Sequence, residues 1–264
     1  MPPHFAKLLA VVAISAVAGA VNAIAGGGTL LTFPALIGLG IPPIVANATS
    51  TIALWPGAVG SITGYRAELT GARKWAIGFA VPSLVGGALG AWLLLHTSAT
   101  RFAAIVPWLV LGATALFVIN GPVMSAVRRR GSRRAEVDHE SDAERTRHFP
   151  SASILFYQFL VAIYGGYFGA GVGILMLAAL GFMGLTNIHR MNGLKNWGGL
   201  CMNFVAAVTF AFTKLVNWPV ALAMAVGAIV GGYAGSRGAQ RVRQQYVRWA
   251  VIAIGLASGV WLFF

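Results

Sequence analysis

Gly26-Gly27-Gly28-Thr29, an apolar run, Gly38-Leu39-Gly40-Ile41-Pro42-Pro43 and Ala46-Asn47-Ala48-Thr49-Ser50-Thr51 form a passage that returns later in the chain. The second copy reads Gly165-Gly166-Tyr167-Phe168-Gly169-Ala170-Gly171-Val172-Gly173, a similar run, Gly181-Phe182-Met183-Gly184-Leu185 and Met191-Asn192-Gly193-Leu194-Lys195-Asn196. Glycine-broken short segments at corresponding positions of two apolar halves predict discontinuous membrane helices with a transport site between them.

The rest of the chain supplies the membrane context. It is 58% hydrophobic and 9% charged, with a mean hydropathy of +0.77, whereas charged residues make up about 25% of a soluble domain. Uncharged runs long enough to cross a hydrocarbon core of about 30 Å recur from end to end. The fold class expected is therefore an all-α polytopic membrane protein. A net charge of +13 raises the question of nucleic acid. The basic residues, however, sit in short connections between apolar runs, and no nucleic-acid-binding motif accompanies them. Cys201 is the single cysteine, which excludes an internal disulfide or a multi-thiolate metal site. The first residues weakly resemble a signal peptide, with Lys7, an apolar stretch and small residues near Ala20–Ala23. Cleavage there would sever the segment leading into Gly26, so this stretch reads as the first membrane helix.

Five apolar segments (about 5–25, 29–40, 43–65, 74–96 and 101–125) precede a polar insert at 126–150, and five follow it (about 151–168, 172–185, 188–213, 217–236 and 246–264). The expected organisation is a first membrane repeat over 1–125, a cytoplasmic polar linker over 126–150 and a second membrane repeat over 151–264. Val85-Gly86-Gly87-Ala88-Leu89-Gly90 is echoed by Val230-Gly231-Gly232-Tyr233-Ala234-Gly235. The second segment of each half is too short for an untilted crossing at 1.5 Å per residue. It must re-enter, or cross as part of a broken helix shielded by protein.

An odd number of crossings per half gives inverted-topology repeats. Arg128, Arg129, Arg130, Arg133, Arg134, Arg145 and Arg147 place the insert in the cytoplasm by the positive-inside rule. Working outward, 66–74, 237–248 and Arg190 fall on the same side. Together these places hold 15 of the 19 Lys and Arg residues. Lys7, Arg101 and Lys214 fall outside, Lys195 is left within the membrane region, and both termini face outward. Glu136, Asp138, Glu140, Asp142 and Glu144 interleave with small and polar residues, so the insert is expected to be a solvated flexible linker.

Only Glu68 and the five insert acids exist, and none falls in a membrane segment. Cation pathways and proton relays usually rest on buried carboxylates, so a metal or amine cargo is disfavoured. The one deeply placed ionisable group is Lys195, which must either meet an anion in a cavity or snorkel to the interface near Arg190. Gly26, Gly27 and Gly28 can expose backbone N–H groups at the start of the 29–40 helix, and Gly169, Gly171 and Gly173 can do so in the other half. Close helix packing is the alternative reading of both clusters. Asn22, Asn47, Thr49, Ser50 and Thr51 near the first break, with Asn192, Asn196 and Asn203 near the second, offer neutral donors to an anion or bond between helices. Trp55 and Trp197 read as packing residues first and cavity walls second. His4, His96, His139, His148 and His189 show no metal-ligand spacing. No Walker, GxSxG, HExxH or haem motif occurs, so neither an enzyme nor a cofactor is expected.

Ala25-Gly26-Gly27-Gly28, Phe33-Pro34-Ala35-Leu36, Leu39-Gly40-Ile41-Pro42-Pro43, Ala46-Asn47-Ala48-Thr49-Ser50, Ser61-Ile62-Thr63-Gly64-Tyr65-Arg66 and Asn192-Gly193-Leu194-Lys195-Asn196 resemble the TauE/SafE sulfite exporter family of membrane permeases. The resemblance covers nearly the whole chain. It implies an inner-membrane carrier for a small sulfur-containing anion, such as sulfite, sulfoacetate or an aryl sulfonate, with a polar Gly/Thr/Asn/Lys centre. The mixed-charge insert is longer than the minimal family pattern. The expected partners are a small anionic substrate and the lipid bilayer, with no nucleic acid; a homo-oligomer stays open. Export is favoured, because uptake of an anion needs a coupled cation and the acid-free membrane region offers no relay. An anion channel, an uptake permease for another small anion and a non-transporting membrane scaffold are the rival readings.

Overall fold

Glycine decides which helices touch. The computed structural model describes residues 3–138, 141–238 and 244–263, and the described residues form twelve α-helices. The sequence readings of His139, Glu140, Arg241 and Arg243 lie outside the described residues. So do the side-chain readings of His4, Lys7, Arg128–Arg134, Glu136 and Asp138. The first half comprises α1 (Pro3–Ile24), α2 (Thr29–Gly38), α3 (Pro43–Gly64), α4 (Arg66–Thr70), α5 (Arg73–Leu95) and α6 (Ala99–Asp138). After α7 (Asp142–Arg145), the second half comprises α8 (Ala152–Tyr167), α9 (Val172–Phe182), α10 (Ile188–Ala211), α11 (Trp218–Gly238) and α12 (Gln244–Trp261).

Helices α5, α11 and the Ala99–Ile119 part of α6 are long and apolar enough to cross a membrane. Helices α3 and α10 have 22 and 24 residues, enough length to span, but they carry the polar motifs. Large apolar side chains stand exposed around the molecule, among them Val81, Trp108, Phe156, Leu222 and Val230. Such a continuous apolar exterior suits lipid and not water.

Packing interlocks the halves. Helix α1 lies on α11, which also packs on α3; α5 packs on both α8 and α10. Gly235 meets Ala20 at 2.6 Å from where its Cβ would stand, and Gly231 and Gly227 meet the Ala16 and Val12 backbones. Position numbers rise together along this seam, so α1 and α11 run the same way. Gly57 against the Ala228 carbonyl (2.6 Å) and Gly60 against that of Ile229 (2.8 Å) add α3 in the same direction. A second set, α5 with α8 and α10, packs through glycines in the same way. A Cβ on Gly86 would stand 2.6 Å from the Phe159 carbonyl oxygen, and one on Gly87 would stand 2.5 Å from that of Met202. Small residues allow such contacts, which supply dispersion in place of the hydrophobic drive that lipid removes.

The two sets run in opposite directions. Gly193 near the start of α10 sits beside Tyr65 just past the end of α3, where a Cβ on Gly193 would stand 3.7 Å from the Tyr65 Cβ, while the Trp55 and Phe204 ring centroids are 5.4 Å apart. Helices α6 and α12 close the bundle, also antiparallel, with Gly255 on Thr114 and Gly259 on Leu111.

The insert departs from the flexible linker expected. Helix α6 continues without a break to Asp138, 40 residues in all; five of residues 126–138 are Arg, a good helix former. Helix α7 is then fixed by a capping box. The Glu144 N–H donates to the Ser141 hydroxyl (3.3 Å), and Glu144 Oε2 accepts from the Ser141 N–H (2.8 Å). Those Ser141 donors, with Arg147 nearby, hold the Glu144 carboxyl below the usual carboxylate range.

This short helix docks on the bundle. Asp142 accepts from the N–H groups of Thr186 (3.0 Å) and Asn187 (2.6 Å), and Arg145 Nη1 donates to the Met183 carbonyl (2.9 Å). Thr146 donates to the Gly71 carbonyl (3.2 Å) and accepts from Arg190 Nη1 (3.3 Å), and Arg190 stands 3.9 Å from Glu68. Gly64 meets Ser236 at the same end. The 66–74 connection, Arg190, the insert and the end of α11 therefore share one end of the bundle.

Candidate functional site

Gly26 and Gly173 touch backbone to backbone. A Cβ on Gly26 would stand 2.5 Å from the Gly173 Cα, and one on Gly173 would stand 2.6 Å from the Gly26 Cα. Gly26 has φ 80°, a conformation that only glycine visits without strain, and it turns the chain from α1 into α2. The breaks of the two halves thus meet in the interior, with Phe117 and Ala113 of α6 backing Gly27 and Gly171.

A cavity of about 40 Å3 lies at this junction. On that measure one water needs roughly 10–15 Å3, so the space suits a small species of a few heavy atoms. Asn22, Gly26, Thr29, Thr51, Asn203, Gly169, Gly173, Lys195, Asn196 and Gly199 supply its polar and backbone lining. Leu54, Ala58, Phe168, Val172 and Met176 supply its apolar wall. Lys195 is the single charged side chain among these.

Lys195 is 3% exposed, so it does not snorkel. Its stem crosses Gly173, whose Cβ would stand 3.1 Å from the lysine Cδ. Its ammonium donates to the carbonyls of Asn22 and Ala23, both at 3.0 Å, and Asn196 Nδ2 donates to Ala23 at 3.3 Å. Those carbonyls belong to the last turn of α1, the negative end of a helix dipole, which favours a cation. An ammonium has three donors; two point at the helix end and one remains for the cavity.

Several expected site residues are placed elsewhere. Thr49 accepts from the Asn217 N–H (3.0 Å), Ser50 shares a hydrogen bond with Thr32 (2.6 Å), and Asn47 donates to the Tyr167 carbonyl (2.9 Å). Gly27 faces the Phe117 ring, Gly28 faces the Ala18 carbonyl, which a Cβ would meet at 2.6 Å, and Gly171 faces Ala113, which a Cβ would meet at 3.4 Å. Asn192 is wholly buried and lies outside the cavity lining. Of the residues the sequence offered, Asn22, Gly26, Thr51, Gly169, Gly173, Lys195, Asn196 and Asn203 line it. Thr29 and Gly199 join them. On α10 the lining positions 195, 196, 199 and 203 share one helical face, a spacing that would have singled out Gly199. Trp197 donates to the Ala76 carbonyl at 2.7 Å and so packs α10 on α5. No group of potential metal ligands occurs among the described residues.

Comparison with known proteins agrees with this architecture. The family model for the sulfite exporter TauE/SafE matches residues 11–262. The chain is 28% identical to the probable membrane transporter protein ORF9 of a Sinorhizobium species, over 96% of this chain and 91% of that one. It is 28% identical to a probable membrane transporter protein of Haemophilus influenzae, over 84% and 80% of the two chains. It is 26% identical to the probable membrane transporter protein YfcA of Escherichia coli K12, over 91% and 84%. No solved structure matches it. The protein is a membrane transporter and not an enzyme, and the chain belongs to the sulfite exporter TauE/SafE family.

Proposed function

We propose that this protein is a secondary carrier that exports a small sulfur-containing anion, sulfite or a related oxyanion or sulfonate, across the cytoplasmic membrane. The observation that carries this reading is the cavity where the two helix breaks meet, lined by one ammonium, neutral amides and hydroxyls, and no carboxylate. A cation placed there would face Lys195 with no compensating charge; an anion gains its remaining donor. Backbone N–H groups at the starts of α2 and α9 stand at the positive ends of helix dipoles and favour the same sign. The small cavity favours sulfite over an aryl sulfonate unless the walls part.

Opposite running directions of corresponding helices support an inverted repeat rocking around a fixed site. Gathering of the basic connections at one end supports a cytoplasmic insert and outward-facing termini. An inside-negative potential then drives anion export, by about 2.3 kcal/mol per charge per 100 mV. Counterflow in proteoliposomes with sulfite, thiosulfate, sulfoacetate, taurine and sulfate tests the reading. Saturable exchange of one small sulfur anion is expected. Non-saturating flux would mean a channel, and flux of none of the panel would remove the substrate class.

A further inference from the structure

Asn192 is wholly buried, at 0% exposure, and neither atom of its amide has a hydrogen-bond partner among the described residues. Leaving both ends of a buried amide unpaired is costly, and such groups call for an explanation. Its counterpart in α3 is treated differently: Asn47, likewise in the second turn of its helix, donates to the Tyr167 carbonyl at the end of α8. The equivalent carbonyls at the end of α1 are taken by Lys195 and Asn196, which leaves Asn192 without that role.

Its position is informative. Residues 192, 195, 196, 199 and 203 recur at helical spacing and form one stripe along α10, of which all but Asn192 line the cavity. Asn192 is therefore the next polar group along the stripe, one turn from Lys195 toward the end where the basic connections gather. That turn is sealed in the conformation described. Met191 and Leu194 are buried, Ile24 packs against Tyr65, and a Cβ on Gly193 would stand 3.5 Å from the Glu68 Cβ.

We propose that Asn192 is a second coordinating residue for the transported anion, an inner station closed in this conformation. The inference rests on the carrier reading above. When α10 parts from the Ile24–Tyr65 contact, Asn192 Nδ2 donates to an oxygen of the anion arriving from or leaving for Lys195, and Oδ1 accepts from its hydrating water. A neutral amide suits this step, because a conducting path needs sites that bind without trapping.

The test uses the full-length protein with sulfite as probe, measuring counterflow, equilibrium binding by intrinsic tryptophan fluorescence, and the thermal midpoint in detergent. Removing an unpaired amide from a dry interior does not weaken the fold. Asn192→Leu is therefore expected to keep or raise the midpoint and to bind sulfite as the native protein does. Its maximal flux should fall by about tenfold, the loss of one hydrogen bond to a charged group. Asn192→Ser, which restores a donor and an acceptor, should recover part of that flux. Native flux in Asn192→Leu overturns the proposal. So does a lowered midpoint with binding and flux lost together, which would mark a structural role. A Lys195→Gln arm separates the two levels. Loss of sulfite binding in that variant with native flux in Asn192→Leu overturns only the inner station, whereas native binding in Lys195→Gln removes the carrier site itself.

Discussion

Substituting alanine at Gly26 and at Gly40 separates backbone strain from the meeting of the two breaks. Both glycines have positive φ, 80° and 84°, so alanine at either adopts a left-handed conformation costing about 1–2 kcal/mol. Around a Gly40 Cβ there is nothing within 4 Å, whereas a Gly26 Cβ stands 2.5 Å from the Gly173 Cα. That neighbour is backbone and cannot rotate away, so overpacking adds about 1–3 kcal/mol at Gly26 alone. Gly26→Ala should therefore destabilise by about 2–5 kcal/mol and Gly40→Ala by about 1–2 kcal/mol. At roughly 2–4 °C per kcal/mol for a chain of this size, the Gly26 variant should unfold several degrees lower. Tryptophan fluorescence during heating in detergent gives both midpoints. Equal shifts in the two variants would show that the breaks do not touch, and the site built on their contact would fall with them.

Asp142→Ala removes the acceptor for the Thr186 and Asn187 N–H groups; amide exchange over 183–190 should quicken while residues 83–94 of α5 stay protected. Gly87→Leu inserts a side chain where the Met202 carbonyl lies 2.5 Å away, which should abolish folded protein in size-exclusion chromatography; a folded variant would contradict the α5–α10 seam. The Glu144 carboxyl, held down chiefly by the Ser141 N–H, titrates lower when folded than unfolded. Its contribution to α7 is thus full above the unfolded value and is lost as the pH falls through the folded one. Protection factors over 141–147, which allow for the intrinsic pH dependence of amide exchange, should therefore fall in acid and stay unchanged at neutral pH.

What the sequence could reveal was set by chemistry local to the chain. Glycine runs broke the apolar segments visibly, so Gly26 and Gly169 located both breaks, and the missing membrane acids led to the anionic cargo proposed above. Two features escaped because they depend on backbone brought from a distance. Counting side chains alone left Lys195 with no counter-charge, yet the carbonyls of Asn22 and Ala23 at the end of α1 meet two of its donors. Asn47, Thr49 and Ser50 share a motif but point along different directions of α3, and nothing in their types separates them from Thr51, which faces the cavity. Helix α7 was hidden in a run of charges whose composition reads as solvated. Its capping box, Ser141 with Glu144 three residues on, was the overlooked local sign of a helix start.

Binding of the anion at Lys195 is the claim on which the rest depends, and half-saturation of sulfite counterflow in Lys195→Gln tests it most directly. The substitution keeps a donor for the α1 carbonyls and removes the charge. Losing a hydrogen bond to a charged group costs about 1.5–3 kcal/mol, so apparent affinity should fall by roughly 10- to 150-fold. Half-saturation at the native concentration, with native expression, would contradict it.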